Sequence, residues 1–272
     1  MYATDFEYDG LYLSDYNFIV CRFDYSNSAD IINAGAVITF NKTARNRGKI
    51  FSLTSTKYES CIQTTFDICK NPDIFDGSDR IITQDEYRDL MRWLNRHNYL
   101  KFQFLNDEES LGQCYFHASF NIEQIKIGDR LYGLRLSMET DCPFGYGDTQ
   151  TVALNFTASD STKVVYDCSD EVGYLYPNLT ITCCADGDII IYNDSQNCHM
   201  EIKNCVADEV IYINGSVHTI SSSETFHDIA NDFNYDFLKI GNTLNDRSNV
   251  IRVSQPCNIV MEYTPIIKGV LC

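Results

Sequence analysis

The sequence predicts a mainly β protein made of two β-sandwich domains, the first carrying one α-helix. Three observations support that class. The chain has 272 residues, the size at which one hydrophobic core gives way to two. Its aromatics are 18 Tyr and 16 Phe against a single Trp, side chains suited to half-buried pleated surfaces. Apolar residues recur with a period of two in segment after segment, the mark of a strand with one buried face.

The elements follow in order. In residues 61–69, Ile62, Thr64, Phe66 and Ile68 share one face, and Gln63, Thr65 and Asp67 take the other. Thr83 with Glu86 forms a capping box, and Tyr87, Leu90, Met91 and Leu94 follow as one apolar stripe. Arg92, Arg96 and His97 lie where the helix dipole favours positive charge. The helix is therefore predicted from about Gln84 to Arg96. Trp93 sits beside the stripe, either on the rim of the domain's own core or as an interface anchor. A strand over Leu100–Leu105 comes next. Cys114, Phe116, Ala118 and Phe120 then alternate with Tyr115, His117 and Ser119, and Tyr132, Leu134, Leu136 and Met138 with Gly133, Arg135 and Ser137.

Gly and Pro punctuate Cys142-Pro143-Phe144-Gly145-Tyr146-Gly147, and Thr, Ser and Asp dominate from there to residue 163. The domain boundary is placed here, giving domains 1–146 and 147–272. The second half reads as short strands: Leu179–Cys183, Asp188–Tyr192, Glu209–Ile213, Ser216–Ile220, Phe237–Ile240, Val250–Val253 and Ile259–Tyr263. Ala185-Asp186-Gly187 supplies one turn. Asn214-Gly215 is read as a two-residue hairpin loop. A brief helical turn is expected near Thr225–Asn231. Many short strands at close spacing suggest a sandwich of antiparallel sheets.

Charge and cysteine usage narrow the function classes. The net charge is −17; residues 1–150 carry 15 basic and 22 acidic side chains and residues 151–272 carry 6 and 16, so neither half holds a basic stripe. Such acidity argues against tight nucleic-acid binding. No apolar run reaches the length of a membrane span, so no membrane insertion is expected. Met1–Asp9 contains acids and no basic leader, and synthesis in a reducing cytoplasm is expected. The 12 cysteines are accordingly read as thiols; Cys21, Cys61, Cys69, Cys114 and Cys183 sit in strand-like runs as small buried hydrophobes.

No catalytic, cofactor-binding or metal-binding residue is assigned. His97, His117, His199, His218 and His227 are scattered, with His117 and His218 placed in strands. Cys198-His199 with Cys205 lacks the second ligand pair of a zinc site. Cys183-Cys184 would point to opposite faces of a strand. Asp186-Gly187-Asp188 lacks the later ligands of a calcium loop, and Asp107-Glu108-Glu109 reads as a solvated loop. No nucleophile elbow, zinc-protease helix motif or phosphate-binding loop is present.

The opening Phe6-Glu7-Tyr8-Asp9-Gly10, then Leu13-Ser14-Asp15-Tyr16 and Phe18-Ile19-Val20, resembles the start of phage distal tail proteins. The helix, the strands around it and the exit Asp141-Cys142-Pro143-Phe144-Gly145-Tyr146 keep that family's order through residue 146. More loosely, Tyr176-Pro177, the strand ending in Asn193, the Asn-Gly turn, Leu238-Lys239-Ile240-Gly241 and Val250-Ile251-Arg252 resemble its galectin-like arm. The resemblance implies a hairpin extension on the first domain, a galectin-like second domain and a non-enzymatic role in the virion's distal tail tip. It implies a homo-hexameric ring joining the tail tube protein to the tail-tip hub protein. Receptor-binding proteins would dock on the arms, and DNA would pass the lumen without specific binding. The competing readings are a stand-alone carbohydrate-binding module or adhesin, a tail-tip hydrolase, and another baseplate component on a related sandwich.

Overall fold

A computed structural model describes residues 3–23, 37–45, 48, 50–105, 114–243 and 245–268. The chain forms two compact units, the second being Gly147–Ile267 and the first the chain on either side of it. Asp107-Glu108-Glu109 lies outside the described residues.

The first unit contains β1 (Asp5–Tyr8), β2 (Leu11–Tyr12), β3 (Phe18–Cys21), β4 (Ile38–Arg45), β5 (Ile50–Tyr58), β6 (Gln63–Lys70), α1 (Gln84–Leu94), β7 (Leu100–Leu105), β8 (Phe116–Ile127), β9 (Arg130–Thr140) and β10 (Gly145–Tyr146). Seven strands pair in the order β2-β1-β7-β8-β9-β6-β3. In a flat sheet β6 and β7, three places apart, would lie about 14 Å from each other. Yet Phe66 on β6 and Phe102 on β7 stack with ring centroids 6.1 Å apart. The sheet therefore curls until its two halves face each other, and the Val20 amide of β3 donates to the Thr4 carbonyl just before β1 at 3.0 Å. Phe6, Phe66, Phe102 and Phe120 fill the space between the halves.

Helix α1 begins as its capping box requires. The Glu86 amide donates to Thr83 Oγ1 at 3.3 Å, and the Thr83 amide donates to Glu86 Oε2 at 2.7 Å. It ends at Leu94, two residues short of expectation, because Asn95 leaves the helical region and the Arg96 guanidinium turns back to donate to the Trp93 carbonyl. The buried stripe is Leu90, Trp93 and Leu94, so Trp93 belongs to the domain's own core. Its Nε1 donates to the Tyr8 carbonyl at 2.9 Å, and its ring stacks on Tyr16 at 4.8 Å and Phe6 at 5.6 Å. Asp67 points to the outer face of β6 but is buried there, because Arg135 on β9 lies over it with two hydrogen bonds of 2.8 and 3.0 Å. Lys70, also buried, ties the sheet to the helix through Glu86 at 2.7 Å.

The second unit contains β11 (Gln150–Phe156), β12 (Thr162–Tyr166), β13 (Gly173–Leu175), β14 (Asn178–Cys183), β15 (Gly187–Asn193), β16 (Cys198–Cys205), β17 (Val210–Asn214), β18 (Thr219–Ser222), α2 (Ile229–Asp232), β19 (Ile240–Asn242), β20 (Ser248–Val253), β21 (Cys257–Tyr263) and β22 (Ile266–Ile267). Five strands order as β11-β21-β14-β17-β18 and four as β12-β20-β15-β16, a sandwich of two antiparallel sheets. Strict alternation fills its core: Cys257, Ile259, Met261 and Tyr263 of β21 point inward, and Asn249, Ile251 and Val253 of β20 do likewise.

Three local features differ from the sequence expectation. Asn214 pairs with Thr219, so the β17–β18 loop is four residues long and His218 lies in a turn with φ of 54°. Gly215 is there because a Cβ would strike the carbonyl oxygens of Tyr176 and Pro177, a close approach that replaces the expected tight turn. The Asn214 carboxamide oxygen accepts from the Ser216 and Val217 amides and closes the wider loop. The helical turn predicted over 225–231 sits later, at Ile229–Asp232, after the Asp228 start. Phe237–Leu238 lies outside β19, which begins at Ile240.

A buried asparagine pair pins three strands. Asn193 Nδ2 donates to Asn249 Oδ1 (2.9 Å) and to the Lys239 carbonyl (2.8 Å), while Asn249 exchanges two 2.9 Å bonds with the Gly241 backbone. Asn249→Ala leaves these groups unpaired in the core, and should lower unfolding stability by about 1–3 kcal/mol in a urea titration.

Candidate assembly surface

Strands β4 and β5 form a two-stranded ribbon that pairs with no third strand among the described residues. Such a ribbon has two open edges and little stability of its own in water. Its register runs from Ile38↔Tyr58 to Asn41↔Ser55, then from Lys42↔Leu53 to Arg45↔Ile50. Thr54 is the unpaired residue of a β-bulge, held where its hydroxyl donates to the Asn41 carbonyl at 3.0 Å.

The bulge decides the chemistry of the two faces. Directly paired residues share a face, and β4 alternates without interruption. Ile38, Phe40, Lys42 and Ala44 therefore lie on one face with Tyr58, Thr56, Leu53 and Phe51. The other face holds Thr39, Asn41, Thr43 and Arg45 with Lys57, Ser55, Ser52 and Ile50. One face is thus largely apolar and the other polar. Were Thr54 paired in a regular ladder instead of bulged out, Phe51 and Leu53 would fall on the polar side. Exposure is high on the apolar face: Phe40 and Leu53 at 56% and Phe51 at 65%.

The ribbon is also basic. Residues 37–59 contain Lys42, Arg45, Arg47, Lys49 and Lys57 against one acid, Glu59, which accepts from the Thr39 hydroxyl at 3.0 Å, within a chain of net charge −17. An apolar strip on a ribbon of net positive charge matches a partner surface that is apolar and acidic.

The residues weighed from sequence for chemistry do not converge on a catalytic group. His117 Nδ1 meets Asp141 Oδ2 at 3.2 Å beside the Tyr146 ring. His218 packs edge-on against Tyr176 and Phe237. Cys198 is half-buried and His199 exposed, as neighbours on opposite faces of β16 must be, and Cys205 lies at the strand's far end. Cys183 is buried and Cys184 exposed for the same reason. Asp186 and Asp188 accept from the Ala207 and Asn204 amides, so both carboxylates organise turns. Among the described residues every cysteine is a free thiol; Cys183 is buried, while Cys21, Cys61, Cys69 and Cys114 are half-buried, less than the sequence suggested.

One cluster escaped the sequence reading. Glu209, fully buried, accepts at Oε1 from Ser222 Oγ and His227 Nδ1, each at 2.5 Å, and at Oε2 from the Val206 amide at 2.9 Å. Burial opposes its charge, but the bonds from Ser222, His227 and Val206 hold its carboxyl below the usual carboxylate range. A depressed folded-state value means the stability it confers is present above the ordinary value of about 4.3 and is lost as pH falls through the lower folded one. The melting temperatures of the native protein and Glu209→Gln should therefore differ at neutral pH and converge on acidification.

With the ribbon and the two folds described, comparison with known proteins assigns the class. Residues 1–142 match the model of the phage tail protein N-terminal domain, and residues 144–263 match that of the phage tail C-terminal domain. The chain belongs to this phage tail protein family and is a component of the virion's tail. Its fold is similar to that in the crystal structure of SPP1 Dit (gp 19.1), described as a paradigm of the hub adsorption apparatus of phages infecting Gram-positive hosts. The TM-score is 0.63 at 14% identity, over 96% of this chain and 98% of that one. A chain of the phage P2 baseplate in its activated conformation with calcium aligns at a TM-score of 0.46 and 10% identity over 96% and 98%. No curated protein sequence matches.

Proposed function

We propose that this tail protein is the ring subunit of the distal tail tip of a long, non-contractile tail. Six copies form a closed ring through residues 1–146 and link the tail tube protein above to the hub protein below. The second domain, residues 147–272, projects as a galectin-like arm on which receptor-binding proteins dock. DNA crosses the lumen without specific contacts, and no catalysis is involved. The observation that carries this reading is the basic, one-sided apolar ribbon. Closed rings need a surface on each subunit that fits a different surface on the next. A cationic ribbon on a strongly acidic chain finds a fitting partner in a second copy of that chain.

Light scattering with negative-stain imaging of the purified chain tests it, with the hub protein added as a second arm. A species near six times 31.1 kDa with a central hole is the expected result. A strict monomer in both arms would overturn the ring.

A further inference from the structure

Three thiols converge at one end of the second sandwich. Cys183 closes β14, Cys205 closes β16 in the facing sheet, and Cys257 opens β21 directly opposite Cys183. All three are buried. The sulfurs of Cys183 and Cys205 and a carboxylate oxygen of Glu209 lie within 4.8 Å of one another. The backbone fixes them there: the Cys183 amide donates to the Glu209 carbonyl and the Asp208 amide to the Cys183 carbonyl, both at 2.9 Å.

An apolar core has no need of this arrangement. A carboxylate taken out of water costs several kcal/mol unless it is matched by opposite charge and hydrogen bonds. Glu209 is oriented by Ser222, His227 and the Val206 amide, and two sulfurs lie beside it.

We propose that Cys183, Cys205 and Glu209 bind one zinc ion. Two sulfurs and a carboxylate, brought from separate strands to one buried point, are donors that zinc accepts, although structural sites more often use Cys and His alone. Ser222 and His227 hold the carboxylate ligand in place, as the outer partners of metal ligands do. His227 Nε2, buried and without a hydrogen bond, faces Asp232 Oδ2 at 3.4 Å, so the imidazole stands between two carboxylates. On binding, each ligating thiol forms a sulfur–zinc bond and releases its proton to solvent, with no change of oxidation state. The ion would join the two sheets at the end where β14, β16 and β21 meet. This inference does not depend on the ring.

The full chain, expressed with added zinc and purified without a metal-affinity step, should carry about one zinc per chain by atomic emission. Cobalt exchanged into the site should give an intense sulfur-to-cobalt absorption band. Cys205→Ser should lose both signals, and Ser222→Ala should bind the ion about 10–100-fold more weakly. Should Cys205→Ser fail to fold, the native stoichiometry and the cobalt spectrum decide alone. Zinc-free native protein that also rejects cobalt, or protein with a Cys183–Cys205 disulfide in place of the ion, overturns the proposal.

Discussion

Changing Phe51 and Leu53 together to serine should leave a folded protein that no longer assembles. Both side chains are more than half exposed in the isolated chain, so their loss costs the fold little, within about 0.5 kcal/mol for ordinary surface sites. At a buried interface centre such anchors contribute about 2 kcal/mol or more each. The pair should thus weaken every subunit contact by about a thousandfold, enough to turn a ring into monomers at micromolar concentration. Sedimentation of the double variant beside the native protein checks this, with melting temperature as the control for folding. Charge provides a second handle. If the basic ribbon meets an acidic neighbour, added salt should weaken assembly, because exposed pairs are screened over about 8–10 Å at physiological ionic strength. Assembly indifferent to both changes would mean that the ribbon is not the joint.

Trp93→Ala should have the largest effect on the fold itself. The indole is 3% exposed, stacks between Tyr16 and Phe6, and anchors α1 to β1 through the Tyr8 carbonyl. Truncating a buried aromatic typically costs about 3–5 kcal/mol, a large part of a small domain's total stability. The first domain should therefore melt at markedly lower temperature while the second, whose core shares no residue with it, keeps its own transition. Differential scanning calorimetry separates the two. A single transition lowered as a whole would show that the two domains unfold as one.

Much of this architecture was legible because its signals are local. The alternation of Leu134 to Met138 and the Thr83–Glu86 capping box each need only a handful of consecutive residues, and both appear as read, whereas Tyr132 falls at a register shift and is only half-buried. The failures have a common physical origin, in that the deciding neighbour lies far along the chain. Gly215 is called for by the Tyr176 carbonyl, some forty positions earlier, so Asn-Gly did not make its usual turn. The alternation of Ile38 and Phe40 and of Phe51 and Leu53 was available, but Thr54 changes the phase of one strand and hides their common face. Cys183, Cys205, Glu209 and His227 have no telling spacing, because two sheets and a turn bring them together. Alternation also assigned Asp67 correctly to the outer face, but only the pairing of β6 with β9 puts Arg135 over it.

The bulge at Thr54 gives the ribbon an unusual genetic fragility. Deleting Asn41, the residue it sits against, removes no charge and no apolar side chain, and leaves the composition of the ribbon almost untouched. Thr54 would then pair in an unbroken ladder, and Phe51 and Leu53 would turn to the opposite side from Phe40. A continuous adhesive strip would become two half-strips facing away from each other. Loss of a single codon here should therefore be as damaging to virion assembly as loss of the whole hairpin, whereas polar substitutions on the far face of the same strands should pass almost unnoticed.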